Sequence, residues 1–389
     1  MEAGGTLLTL LLVLTLGLII PELFKKFRVP FLTLIILAGA ITGPYGLDYV
    51  QLDETISFFG FLGMAFLMFM AGLETDITKI YSSKLKIFLM ASLNSIIPFL
   101  VGLGLLRFFG YSWDVSILVG IIFISSSVAV VVSSLRENKS IPKDVSQLIL
   151  SAVMVVDVVS LVALGLVFQV ASRTTIFPLP VYLLVLIVSI FLLFKVIPLI
   201  SKNIMKRRFF QDDGHERRLR FIIVVLVGVV AYFSFLGAHP IIASFLAGLS
   251  LSGVVLNEKS QILKFKLHTI GYGLFIPVFF FVVGMEINIF VLSQFDLGSL
   301  LMISLVLGLI ISKFSSGYLA GRVVNFSHRN AMLFGSISIT QLTTTLAVTY
   351  ASASLGLLDS VLTTSIVILS VLTTLIGPTL SSYISRARA

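Results

Sequence analysis

The chain has 389 residues, 58% hydrophobic and only 12% charged, with a net charge of +9. Soluble globular domains carry about 25% charged residues, so a soluble enzyme is excluded and an all-α polytopic membrane protein is expected; a transmembrane barrel would show short alternating segments instead. There is no cysteine, and His215, His239, His268 and His328 are scattered, which excludes disulfides, thiolate sites and a histidine metal cluster.

Thirteen apolar runs read as spans, at residues 6–24, 31–48, 55–73, 85–109, 114–135, 145–170, 178–200, 218–236, 239–256, 267–287, 297–321, 328–352 and 359–385. Most approach the roughly 20 residues that cross about 30 Å of hydrocarbon. The first is preceded by Glu2 and followed by Lys25, Lys26 and Arg28. That is the pattern of an uncleaved span with its N-terminus outside. The third ends in AGLETDI, Ala71 to Ile77, where Glu74 is either a solvated helix end or part of a cation-attracting funnel. The fifth carries ISSSVAVV, Ile124 to Val131. Hydroxyl clusters offer the backbone alternative partners and loosen a helix. An opened helix exposes carbonyls and N–H groups that can hold ions at the midplane.

The sixth span contains SAVMVVDVVSLVALGL, in which Asp157 is the sole ionisable group. As an ion at the bilayer centre it costs at least about 2.5–3.5 kcal/mol, and intramembrane charges mark ion and proton paths. A carboxylate that holds either a proton or an alkali cation, but not both, is a minimal exchanger. The plainer reading is a helix-packing Asp hydrogen-bonded to a neighbour. Lys195, near a span end, reads as snorkelling. The basic loop from Ser201 to Arg220 joins two halves, and the tenth span ends in VGMEINI, Val283 to Ile289, with Glu286. Lys313, in the eleventh, is a core charge partner for Asp157, a proton-linked amine, or a lysine whose stem lies along its helix. The twelfth carries SISITQLTTTLAV, Ser336 to Val348. With the fifth it offers Ser126, Ser127, Gln341 and Thr344 as oxygens for a cation beside Asp157. Interhelical hydrogen bonding by small polar residues is the alternative.

With the N-terminus outside and 13 spans, all 27 Lys and Arg except Arg107, Arg173, Lys195 and Lys313 fall on the cytoplasmic side, while Asp48, Asp53, Glu54, Asp114 and Asp296 lie opposite. The positive charge is therefore a topology signal and no nucleic-acid partner is expected. An internal repeat is visible. AGLETDI is echoed by VGMEINI, and LAGAITG (Leu37 to Gly43) by LAGLSLSG (Leu246 to Gly253), in the same order and at nearly the same offset. The predicted topology makes the two five-span repeats inverted, as in secondary transporters. No Walker loop, GxSxG or dinucleotide fingerprint occurs, so an ATP-driven pump is not expected.

In their order, GLETD, SSSVAVV, VVDVVSL, FFFVVGMEIN, the SK of span 11 and QLTTTLA make the chain resemble the cation:proton antiporter-2 family of prokaryotic sodium or potassium/proton exchangers. The resemblance covers nearly the whole chain. It implies a homodimer in the cell membrane of a prokaryote. A dimerisation domain would come mainly from 1–80 and 218–290, a transport core mainly from 84–172 and 296–389, with 178–200 linking them and spans 5 and 12 broken and crossing beside Asp157. In the family Asp157 would carry cation and proton, and Lys313 would pair with an acid at the preceding position. That position is Val156, so the pattern is broken there. One carboxylate implies exchange near one proton per cation, which is electroneutral; a direct Lys313–Asp157 pair would change the stoichiometry. No cofactor is expected, the transported species being Na+ or K+ and H+. Some relatives add a cytoplasmic nucleotide-binding domain, expected here to be lacking or removed. A potassium efflux channel without proton coupling and a sodium-coupled organic anion symporter are the other transport readings; a membrane sensor would leave Asp157, Lys313 and the repeat unexplained.

Overall fold

A computed structural model describes residues 2–24, 31–75, 83–137, 141–172, 179–205, 215–255, 261–288 and 297–386. Lys25, Lys26, Arg28, Ile77, Arg173, Ile289, Asp296 and residues 206–214 of the loop from Ser201 to Arg220 lie outside the described residues. The first eight helices are α1 (Glu2–Phe24), α2 (Phe31–Thr42), α3 (Glu54–Glu74), α4 (Lys84–Phe108), α5 (Trp113–Ile124), α6 (Val128–Glu137), α7 (Lys143–Ser172) and α8 (Leu179–Met205). Then come α9 (His215–Phe235), α10 (Pro240–Val255), α11 (Gln261–Ile270), α12 (Ile276–Met285), α13 (Leu297–Val323), α14 (His328–Ser338), α15 (Thr343–Ser354) and α16 (Ser360–Arg386). The described residues contain no strand. Nine of their helices are long and apolar enough to cross a membrane, and Leu7–Ile20, Phe31–Thr42, Trp113–Ile124 and Pro240–Val255 are shorter apolar helices.

Two spans differ from expectation. The second stops at Thr42 because Pro44 cannot continue a helix, and the chain turns with Leu47 N–H on Ile41 O at 2.7 Å. The tenth starts six residues early and runs through a π-helical turn, Gly271–Phe275, that joins α11 to α12. Such turns insert an extra residue into the helical ladder.

The chain divides into two compact units. The first holds Met1–Ser57, Thr78–Leu164 and Phe280–Ala389. In it α4 packs along α5 and α13, and α14 along α13 and α16. Several of its helix starts are capped by side chains. Ser112 accepts from Val115 N–H and Ser327 from Asn330 N–H, at the equivalent ends of α5 and α14. Asp359 Oδ1 accepts from Leu362 N–H at 2.7 Å, while its Oδ2 accepts from Tyr111 hydroxyl at 3.2 Å. That bond joins two loops that each turn through a left-handed glycine, Gly110 and Gly356. Burial, then the Asp359 carboxylate, pushes the Tyr111 hydroxyl up to about 12, so it stays a donor. Ile149, Val153, Phe334 and Ile337 share one buried cluster, which fixes the turn of α7 just before Asp157.

The second unit holds Phe58–Ile77 and Gly165–Phe279. Phe66 stacks on Phe275 at 5.1 Å, and Ser189 hydroxyl meets Tyr232 hydroxyl at 2.9 Å. His239 precedes α10, where Pro240 occupies the first helical position, and His239 Nδ1 accepts from Ile241 N–H at 3.4 Å. Its ring lies 4.8 Å from that of Phe168.

Lipid tails are as apolar as leucine, so helices in a bilayer are held by close approach at small residues. A Cβ on Gly39 would stand 2.1 Å from Phe281 O, and one on Gly284 2.1 Å from Ile36 O. In the other unit a Cβ on Gly72 would stand 2.1 Å from Phe245 O, and one on Gly248 2.0 Å from Phe69 O. These glycines belong to the four repeated motifs. The LAG motif of each repeat packs against the glutamate-bearing motif of the other. Gly72 and Gly284 are packing glycines, and the repeat is carried by backbone contacts as well as by letters.

Candidate functional site

The first unit contains two interrupted helices that meet. Between α5 and α6, residues 125–127 are non-helical; between α14 and α15 the break covers 339–342. A break leaves the carbonyls before it and the N–H groups after it without helical partners. The two breaks satisfy each other. Ser127 N–H donates to Thr340 O at 2.8 Å. Ser126 hydroxyl donates to Ser338 O at 3.0 Å. Gln341 Nε2 donates to Ser125 O at 2.8 Å and to Phe123 O at 3.4 Å. Gln341 Oε1 accepts from Ser125 hydroxyl at 3.2 Å and from Thr345 hydroxyl. Thr374 hydroxyl donates to Gln341 O at 3.2 Å.

This arrangement redistributes the oxygens read from the sequence as cation ligands. Both side-chain atoms of Gln341 are engaged in joining the breaks, and Ser126 hydroxyl is held between Ser338 O and Lys313. Ser127 Oγ, fully buried, has no partner. Thr344 hydroxyl donates to Asp157 Oδ2 at 3.1 Å from the first turn of α15.

Asp157 is 2% exposed, and its second oxygen, Oδ1, has no hydrogen-bond partner. Leu342, before α15, offers no side-chain cap, so the positive end of that half-helix is available to the carboxylate. A buried carboxylate oxygen with nothing on it costs roughly 1–3 kcal/mol. A proton or a cation on Oδ1 would relieve that cost.

Lys313 is fully buried, and among the described residues it forms no ion pair with Asp157. Its ammonium donates to Ile124 O, to Asn94 O at 3.3 Å and to Ser126 Oγ at 3.1 Å. Both carbonyls are free for a reason. Ile124 is the last residue of α5. Asn94 lies one turn before Pro98 in α4, and Pro98 has no N–H to return to residue 94. Two liberated carbonyls and a hydroxyl thus cradle the charge. Ser316 hydroxyl on Asn94 Oδ1 at 2.9 Å holds the cradle's far wall. Val156 packs with Ala91 and Ile124 in an apolar cluster, against the same Ile124 whose carbonyl holds Lys313.

Asn94 and Pro98 are absent from the sequence-based candidates, although a proline in mid-span is a visible sign of a freed carbonyl. Glu74 ends α3 and pairs with Lys264 at 4.0 Å, and Glu286 follows α12. Lys195 lies 5.8 Å from the centroid of the Phe191 ring on its own helix.

A family model described as sodium/hydrogen exchanger, transmembrane, matches residues 10–385. The chain is 33% identical over 97% of its length to a protein of Methanocaldococcus jannaschii named probable Na(+)/H(+) antiporter 3, covering 96% of it. It is 27% identical to a Na(+)/H(+) antiporter of Enterococcus hirae, with 99% of each chain covered. It is 26% identical over 90% of its length to the Na(+)/H(+)-K(+) antiporter GerN of Bacillus cereus, covering 88% of it. The solved sodium proton antiporter MjNhaP1 of M. jannaschii superposes with a TM-score of 0.72 at 16% identity, over 100% of this chain and 99% of that one. At that identity the likeness concerns the fold.

Proposed function

This chain belongs to the sodium/hydrogen exchanger family, and on that premise we propose that a proton and a monovalent cation, Na+ or K+, compete for Asp157 in an alternating-access cycle. The protein is a cation/proton antiporter and not an enzyme. Competition at Asp157 is supported by its half-satisfied carboxylate, with Thr344 on Oδ2 and nothing on Oδ1. A proton on Oδ1 neutralises the group; a dehydrated cation there takes its place and is completed by hydroxyl oxygens. Ser127 and Thr344 are the ligands we assign beside Asp157. Ser126, Gln341 and Lys313 form the frame that keeps the two breaks together. Among the described residues no three His, Asp or Glu stand together, so the carboxylate-rich cage that suits a divalent ion is missing there.

We further assign one proton per cation, hence electroneutral exchange. Lys313 is held by neutral carbonyls, and position 156 is an apolar packing residue, which leaves Asp157 as the one acid of the site. The assignment extends to a homodimer with 13 crossings, N-terminus outside and C-terminus cytoplasmic, in a prokaryotic cell membrane. Its scaffold would be mainly 1–80 and 218–290, its moving core mainly 84–172 and 296–389, and its link 178–200.

The experiment is proton-coupled uptake into proteoliposomes with Li, Na, K and Rb in turn. Wild type should alkalinise or acidify the lumen in step with cation movement, and Asp157→Asn should do neither while remaining monodisperse and folded. Exchange at the wild-type rate by Asp157→Asn, or cation flux without proton movement, would sink the reading.

A further inference from the structure

The first turns of α9 and the C-terminal half of α11, both in the second unit, line an open groove of about 430 Å³. Arg220 and Lys266 both line it. Among the described residues neither is engaged in an ion pair or hydrogen bond. Glu216, one turn before Arg220, is the sole carboxylate of the lining, so two cations against one anion leave a net charge of +1. The rest of the wall is mainly apolar: Leu219, Phe265 and Ile270. Phe265 is 71% exposed.

The place of the groove along its helices is informative. α9 reads HERRLR and then FIIVVLVGVV, while α11 reads QILKFKLH before the chain continues into IPVFFFVV. Each helix passes from charged to apolar at the level of the groove, as spans do where headgroups meet hydrocarbon. A soluble anion would find the arginine and lysine but leave the phenylalanine in water. A headgroup with a chain attached uses both. Basic pockets between spans at this level are suited to lipid phosphates.

We propose that this groove binds a monoanionic membrane phospholipid, with its phosphate between Arg220 and Lys266 and an acyl chain along Phe265 and Ile270. The net charge of +1 matches a single phosphodiester, and the first turn of α9 adds its positive end.

Purified full-length protein is titrated with phosphatidylglycerol or phosphatidylcholine, and retention is read by native mass spectrometry beside the melting temperature. Phosphatidylglycerol should be retained and should raise the melting temperature, whereas phosphatidylcholine and inorganic phosphate should do neither. Arg220→Gln with Lys266→Gln should weaken phosphatidylglycerol retention roughly thirtyfold, and Arg220→Lys with Lys266→Arg should restore it. On wild type alone, 0.5 M salt should release the lipid, a readout that survives failure of the double variant to fold. Equal retention of the two lipids, equal retention by the glutamine variant, insensitivity to salt, or the same protection by inorganic phosphate would overturn the proposal.

Discussion

Asp157 and Thr344 come from helices 187 residues apart in sequence and share one hydrogen bond. A hydrogen bond to a charged group contributes about 1.5–3 kcal/mol. Thr344→Val should therefore weaken cation affinity about tenfold or more, seen as a rise in the apparent KM for Na+ or K+ with the maximal rate changed less. Lys313→Met removes the donor from Ile124 O and Asn94 O and leaves two buried acceptors unpaired. That should cost roughly 1–3 kcal/mol for each and lower the melting temperature, whatever it does to transport. A melting temperature at or above wild type would show that the cradle contributes nothing to stability.

Helices meet here at glycines and at breaks. Overpacking a tight contact costs about 1–3 kcal/mol. Gly39→Ala and Gly248→Ala, whose Cβ atoms would stand 2.1 Å and 2.0 Å from a facing carbonyl, should each lower the melting temperature or the monodisperse yield. Gly104→Ala and Gly253→Ala, with nothing within 4 Å, should not. Both breaks were legible as hydroxyl clusters, because a run such as SSS or TTT has no apolar reason to sit in a span. Their pairing was not legible as chemistry. Gln341 reads equally well as an ion ligand or as a stitch between chains, and only the presence of Ser125 and Phe123 carbonyls at its amide decides. The same holds for Lys313. Its burial follows from its neighbours in sequence, whereas one of its three partners, Asn94 O, lies 219 residues away and is free because of Pro98. The end of the second span at Thr42 was marked by Pro44, and the π-helical turn by the small, flexible GYG at its start, but an apolar run read for length alone passes over both.

For the molecule as a whole, the proposed site makes a statement about voltage: if Asp157 is the one titrating acid, swapping a cation for a proton moves no net charge. Initial rates in liposomes should then be the same with and without a clamped potential. Val156→Asp would set a second carboxylate in the apolar cluster beside Ile124, within the surroundings of Lys313, and should make the rate follow the potential if the fold is retained. The membrane class and the repeat were open to reading because lipid imposes long apolar runs and a duplicated motif keeps its order. The site's charge balance was not, since it depends on carbonyl oxygens that no letter records. The cradle made by Pro98 and the end of α5 also bears on leakage. On the proposed reading, an ammonium held there would leave the site positive while Asp157 is protonated and neutral once it is bare. An incoming alkali ion would then be repelled before the proton has left and admitted after it, so that Lys313 would act as a turnstile between two guests, carrying neither.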